Sequence, residues 1–196
     1  MIDLAATFAS FPQLETERFI LRAAEPGDAP AIFRIMSDAR VTRYFGRLPM
    51  TAPAEADEHV QALEQSFREW NGIRWMIAPR AGGALVGSCG FWRLLVPHAR
   101  AEVGYELAPE WWGQGVMTEA LAAILGFGFG TMRLHSVEAQ IHPANIGSRR
   151  VLEKLGFVRE GYFRENYFDV AEAGFTDTAV FSLLQADWER RHEARP

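Results

Sequence analysis

Cysteine is nearly absent from this 196-residue chain: Cys89 stands alone, so no internal disulfide can form. The five histidines are scattered, with no cysteine or carboxylate at metal-ligand spacing, which leaves no zinc site to expect. No run of about 18 apolar residues occurs, so the sequence offers no membrane-spanning helix. A basic surplus is missing as well. With 20 Lys and Arg against 25 Asp and Glu, the formal net charge is -5, the wrong sign for sequence-independent binding to nucleic acid or an anionic membrane. The opening MIDLAATFASF is apolar, but Asp3 stands where a signal peptide has basic residues, and polar sequence follows Pro12. No linker, repeat or low-complexity stretch divides the chain. These absences together give the expectation of one domain over residues 1–196, working in the cytoplasm with no metal, no nucleic acid and no membrane as partner.

What is present is globular composition, 48% hydrophobic and 23% charged, enough at this length to bury a core without staples. The β-type run RFILRA (residues 18–23) is followed by AEPGD, whose Asp28 is placed to cap a helix turning Ala31, Ile32, Ile35 and Met36 inward. Between residues 51 and 71, Val60, Leu63, Phe67 and Trp70 recur at helical spacing, and Gly72 marks the stop. RWMIAPR, the turn AGGA and LVGSCGFWRL predict a β-hairpin, and AEVGYEL (residues 101–107) predicts a further strand. HSVEAQIH (residues 135–142) predicts another, before a turn at Pro143 and a helix ending LEKLGF. Strand, helix, strand, helix in that order predicts parallel pairing. Strand-like runs at residues 158–165 and 175–184, a loop at DVAEAG and a polar tail after Trp188 complete the chain. The fold class is therefore α/β, with one sheet of antiparallel and parallel parts.

Two glycines interrupt WWGQGVMTEALAAI, between a pair of tryptophans and a helix-forming run. A strand that passes through such a turn into a helix leaves several backbone N–H groups without an acceptor. Gly113 and Gly115 remove the Cβ atoms that would hold an anion away, and the helix dipole adds about half a positive charge at that end. A diphosphate suits such a place. A glycine pair is also ordinary turn chemistry, so context must decide. A P-loop needs Lys then Ser or Thr after its second glycine, where this chain has Val116, Met117 and Thr118. A dinucleotide fold places its glycines after the first strand of a βαβ unit, whereas these follow an antiparallel run. The second string, GFGFG at residues 126–130, follows a helix and reads as close packing or helix termination.

WWGQGVMTEAL followed by IHPANIGSRRVLEKLGF resembles the GNAT acetyltransferases, specifically the branch that includes the ribosomal-protein alanine N-acetyltransferases. The resemblance runs from about Glu17 to Trp188, the core of the domain. It rests on the W-G-Q-G turn with T-E-A, the P-x-N-x-x-S run and E-K-L-G-F. Met117 departs from the pattern, since many members carry Gly or Ala there. The resemblance implies a GNAT-like fold: a mixed, mostly antiparallel sheet with splayed central strands and flanking helices. It implies acetyl-CoA as co-substrate, its pyrophosphate held by backbone N–H groups around Trp112, Gly113, Gln114, Gly115, Val116, Met117 and Thr118. AEVGYEL and HSVEAQIH would be the fourth and fifth strands, parting to admit pantetheine, with a bulge expected at Gly104.

Ser148 precedes Val151, Leu152 and Leu155 at helical spacing and so faces inward. It reads either as a small residue packed near a helix start or, from the resemblance, as the acid that protonates the departing CoA thiolate. Asn145 is a natural N-cap, and the resemblance adds contact with the cofactor or with water beside it. Arg149, Arg150 and Lys154 form a basic face from which one side chain can meet a CoA phosphate. The acceptor amine must lose a proton, and alkyl ammonium pKa values are ~10 for lysine and ~8 for an α-amine. Glu102 and Glu106 share strand parity and are the candidate bases, Glu102 preferred and Glu106 in reserve; both also read as rim carboxylates in water. Glu119 is assigned to the first turn of its helix, as a structural residue that caps N–H groups, and Cys89 to core packing. The resemblance implies direct transfer in a ternary complex.

Tyr44, Phe45, Trp75, Trp92 and Tyr167 are expected on the acceptor side, with Arg43, Trp70, Phe91 and Asn166 nearby. A peptide N-terminal α-amine leads as acceptor by family branch, ahead of a polyamine or an antibiotic. Two other classes stand beside this reading: a non-catalytic acyl-CoA-binding module, and a nucleotide-binding protein. A homodimer is an open expectation, since the apolar first eleven residues can cover a partner or their own sheet.

Overall fold

A computed structural model describes residues 2–193. Its elements run α1 (Leu4–Phe8), β1 (Leu14–Glu15), β2 (Phe19–Arg22), α2 (Ala29–Met36), α3 (Ala39–Thr42), α4 (Ala54–Arg68), β3 (Ile73–Pro79), β4 (Gly87–Leu95) and β5 (Arg100–Leu107). They continue with α5 (Val116–Gly130), β6 (Ser136–Ile141), α6 (Ile146–Leu155), β7 (Val158–Asp169), β8 (Gly174–Leu184) and α7 (Gln185–Glu193). The strands form one eight-stranded sheet in the order β1-β2-β3-β4-β5-β6-β8-β7. Every pairing is antiparallel except β5 with β6, which is parallel as the βα order requires. That parallel register ends at Glu102↔Glu138 although β5 runs on to Leu107. Beyond this pair the two strands part, which is the splay the resemblance implied.

Strand alternation gives the sheet two different faces. Trp75, Ile77, Cys89, Phe91, Val103, Val137 and Phe181 share one apolar core with Leu121, Ile124 and Leu125 of α5, Leu152 and Leu155 of α6, and Trp188 of α7. On the other face Met76 meets Ile32, Ile35 and Met36 of α2 and Val60 of α4. The cleft therefore opens between two helical layers.

Several expectations change in the folded chain. The two-residue strand β1 adds one to the count, so AEVGYEL becomes β5 and HSVEAQIH becomes β6. Gly104 is not a bulge: it pairs in continuous register with Gly90, and the irregularity lies between Trp92 and Leu95, where Arg93 has φ 47°. Asp28 does not cap α2. Its carboxylate is taken by Arg22, at 2.7 and 2.9 Å, and by the Glu25 amide. GFGFG does not follow α5 but forms its last five residues, the helix ending at Gly130; a Cβ on Gly128 would stand 2.9 Å from Phe91 Cζ, so close packing is the reason for that glycine. Strand β7 runs four residues past the expected Glu165, to Asp169. The polar tail is helical as α7. The apolar N-terminus covers its own core, with Phe8 and Phe11 at 5.2 and 5.0 Å from the Phe67 ring.

Candidate active site

A cleft of about 760 Å3 lies where β5, the glycine turn, α6 and the segment after α3 converge. Its N-terminal-helix wall is bare backbone. Gly113 and Gly115 hold left-handed φ angles of 75° and 77°, which side chains resist, and Gly115 is the N-cap of the 15-residue α5 with no side chain capping it. The first-turn amides of Val116, Met117 and Thr118 have no acceptor within the helix. No atom stands within 4 Å of where a Cβ on Gly113 would sit, and only Arg18 Nη2, at 3.8 Å, approaches that of Gly115. Arg150 and Lys154 line the same cleft, while Arg149 turns aside to Glu153 at 3.6 Å. Free amides, a helix dipole and two cations fit the phosphates of a CoA ester.

The flanking side chains divide between anchoring and lining. Both tryptophans line the cleft: Trp111 also packs edge-on against Phe19 at 5.9 Å, and Trp112 Nε1 donates to the Leu107 carbonyl at 2.8 Å. The Gln114 side chain donates to the Glu110 carbonyl at 2.7 Å, and Gln114 is not among the cleft's lining residues. The Val116 and Met117 side chains are buried. Glu119 does not cap its own helix. It accepts from the Arg18 amide and guanidinium at 2.9 and 2.7 Å, tying the residue just before β2 to α5.

On the α6 side of the gap, Asn145 caps the helix by accepting from the Ser148 amide at 3.0 Å. The buried Ser148 hydroxyl lies 2.6 Å from the Tyr105 hydroxyl, and burial pushes the Tyr105 phenol up to about 12. Tyr105 was not singled out in the sequence. Its signal was parity: on β5 it points opposite to Glu106, toward the helix that carries Ser148.

Glu106 lines the cleft from the opposite face of β5. Its carboxylate accepts from the Arg74 guanidinium and the Ser88 hydroxyl, and Arg74 Nε also donates to Ser88 Oγ at 2.6 Å. It also borders a second cavity of about 10 Å3, beside His59 of α4, whose imidazole burial holds below its ordinary range. That volume is close to one water. Glu102, the preferred base from sequence, is not among the cleft's lining residues. It sits at the closed end of the splay opposite Glu138, and Arg93 holds it at 3.1 Å. Burial raises its carboxyl above the ordinary range. The gap opens only past Glu102, so of the two candidate bases Glu106 is the one that lines the cleft.

Tyr44 and Phe45 line the cleft as expected, beside Arg40 and Arg43. The Tyr44 ring stacks on His142 at 5.0 Å, with the Arg43 guanidinium 5.2 Å from its centre. Tyr167 braces this segment from behind, donating to the Phe45 carbonyl at 3.4 Å and packing where a Cβ on Gly46 would stand, 2.0 Å from its ring. Trp75 is a correction: it is 0% exposed, bonds the Pro12 carbonyl at 2.7 Å and packs among Phe11, Phe91 and Phe127. Trp92 is half exposed but lies outside the cleft, with Arg93 4.4 Å over its ring. Trp70 stacks on Phe8, and Asn166 is exposed on β7. Burial pushes the Cys89 thiol up to about 12, which disqualifies it as an acyl carrier. Among the described residues no His, Cys, Asp and Glu group is placed to hold a metal, and no helix is long and apolar enough to cross a membrane.

Parted parallel strands, an uncapped helix start opening on a cleft, and a hydroxyl and a carboxylate on its two sides define a CoA-dependent acyltransferase fold and site. Residues 18–158 match the family described as the acetyltransferase (GNAT) domain. The chain belongs to that family and is an acetyl-CoA-dependent N-acetyltransferase. It is 37% identical to the uncharacterised N-acetyltransferase YoaA of Bacillus subtilis, over 89% of this chain and 98% of that one. It is 24% identical to a spermidine N(1)-acetyltransferase of Vibrio cholerae over 88% and 96% of the two chains. Over 44% of this chain and 43% of the other, it is 31% identical to the [ribosomal protein uS5]-alanine N-acetyltransferase of Escherichia coli.

Proposed function

We propose that the acceptor is the N-terminal α-amine of a protein or peptide, acetylated by direct transfer in a ternary complex. The observation that carries the acceptor class is the charge of the cleft. Among its described lining residues Glu106 is the one carboxylate, already held by Arg74, while Arg43, and Arg40 paired with Asp38 beside the cleft, stand at the Tyr44 end. A polyamine would bring several ammonium groups to guanidiniums. An α-amine brings one, followed by backbone carbonyls that a guanidinium can bind. The similarity to the uS5 alanine enzyme supports this reading; that to the spermidine enzyme is its competitor. The single buried cysteine suits a reducing compartment, and the cytoplasm is the proposed address. The homodimer that the sequence left open is proposed with the exposed apolar residues of the β7–β8 hairpin as its surface; light scattering at the 22.0 kDa monomer mass would remove it.

In the transfer the neutral amine attacks the thioester carbonyl, the C–S bond breaks and an acetamide forms. The nitrogen's proton passes to Glu106, directly or through water. The departing thiolate takes its proton from the Ser148 hydroxyl across the gap. Bond-making and bond-breaking thus face different sides of β5, as the alternation of Tyr105 and Glu106 provides.

The test is incubation with acetyl-CoA and short peptides differing in N-terminal residue, beside spermidine and aminoglycosides, reading free CoA thiol and product mass. Acetylation at a peptide α-amine is expected. Modification of small amines alone would move the substrate to the polyamine or antibiotic class. Tight acetyl-CoA binding with no thiol release would favour the non-catalytic binding module.

A further inference from the structure

Tyr105 contributes nothing to the phosphate cradle and does not face the acceptor base, yet its hydroxyl is committed to one residue. Its hydrogen-bond partners are Ser148 Oγ at 2.6 Å and the Ser148 carbonyl at 3.4 Å. A hydroxyl has one hydrogen, so within this pair either the phenol donates to the serine or the serine spends its only hydrogen on the phenol. In the second case Ser148 has nothing left to give a thiolate. The phenol is the more acidic hydroxyl of the two, and Oγ at 2.6 Å is a far closer acceptor for its one hydrogen than the carbonyl at 3.4 Å, which favours the first arrangement.

We infer that Tyr105 is a positioning residue for the transfer: by donating to Ser148 Oγ it leaves the serine hydrogen free to point into the cleft at the leaving sulfur. This rests on the acetyl-transfer reading of Ser148. Burial keeps the phenol protonated across the working pH range, so the donor is always present. Asn145 fixes the other end of the serine by accepting from its amide at 3.0 Å, which holds the residue at the helix start. With the backbone held by Asn145 and the oxygen by Tyr105, the serine hydroxyl has one direction left. The donated hydrogen bond also stabilises negative charge developing on Oγ as the serine proton moves to sulfur. Net proton balance is unchanged: Tyr105 keeps its proton, and Ser148 regains one from solvent.

The test compares Tyr105→Phe, which keeps the ring and removes only the hydroxyl, with Ser148→Ala and the double variant, all with acetyl-CoA and the best acceptor of the panel. Tyr105→Phe should lower kcat about ten-fold with the KM for acetyl-CoA and the melting temperature nearly unchanged. The double variant should be no slower than Ser148→Ala, because Tyr105 acts only through the serine. Full activity in Tyr105→Phe, a loss that appears in KM alone, or a loss that multiplies with that of Ser148→Ala would overturn the role. If the parent protein releases no thiol with any acceptor while still binding acetyl-CoA, the acetyl-transfer reading itself fails and takes this role with it.

Discussion

In the proposed mechanism two consecutive side chains on β5, Tyr105 and Glu106, face different half-reactions, because a strand alternates its faces at every residue. Replacing Ser148 by Ala should lower kcat by about 100-fold, the scale of a single positioned proton donor, with acetyl-CoA affinity changed little; stopped-flow turnover beside calorimetric binding would check both numbers. Glu106→Gln should likewise lower kcat/KM, and most at low pH, where fewer amines are neutral. Glu102→Gln should leave turnover near the parent value, since Glu102 lies outside the cleft. Its consequence is for stability. Burial raises the folded-state pKa of Glu102 above its unfolded value, so the folded chain holds that proton more tightly. The stability it confers is fully present below the unfolded pKa and is lost as pH rises through the folded one. Glu102→Gln, neutral throughout, should therefore melt above the parent near pH 7, with the gain vanishing on acidification toward about pH 4; melting curves across that range would show the opposite trend if the Arg93 pair dominated.

The glycine turn and α5 form the element most completely legible in the sequence. Gly113 and Gly115 were singled out because bare backbone was needed, and both adopt left-handed φ. An alanine at Gly115 would cost about 1–2 kcal/mol in backbone strain and turn a methyl group into the turn. Acetyl-CoA affinity in Gly115→Ala should fall more than melting temperature alone accounts for, measured by titration calorimetry. Gly128 belongs to the same helix for a different reason. A Cβ there would meet the Phe91 ring at 2.9 Å, so Gly128→Val should destabilise by about 1–3 kcal/mol from overpacking without weakening binding per folded molecule. The run reaches the end of the helix at Gly130, while the rest of α5 is nearly all apolar and is held by burial on the sheet.

At the scale of the molecule, the sheet acts as a wall with a gap in it. Helices α5, α6 and α7 cover one face, α2 and α4 the other, and the gap between β5 and β6 joins them. Acetyl-CoA binding should stabilise the whole fold by linkage, about 2.7 kcal/mol at a hundred times Kd, or roughly 5–10 °C in melting temperature for a domain of this size. If Arg150 and Lys154, which line the cleft, and the α5 dipole attract the phosphates as proposed, high salt should reduce that shift. A thermal shift indifferent to acetyl-CoA would remove the phosphate cradle from the account.

Legible in the sequence were the order of the larger elements from β2 to β8, the hairpin of β3 and β4, the parallel pairing of β5 with β6 and the glycine turn before α5. These are local matters: periods of two and 3.6 residues, and a positive φ that glycine alone accepts at no cost. Folding was needed to reveal that Glu106 and not Glu102 lines the cleft, that Trp75 is core, and that Tyr105 meets Ser148. Each depends on where two strands stop pairing and on which helix then lies over the gap. Those contacts join residues tens of positions apart, such as Tyr105 to Ser148 and Tyr167 to Phe45, and no spacing along the chain encodes the distance between them.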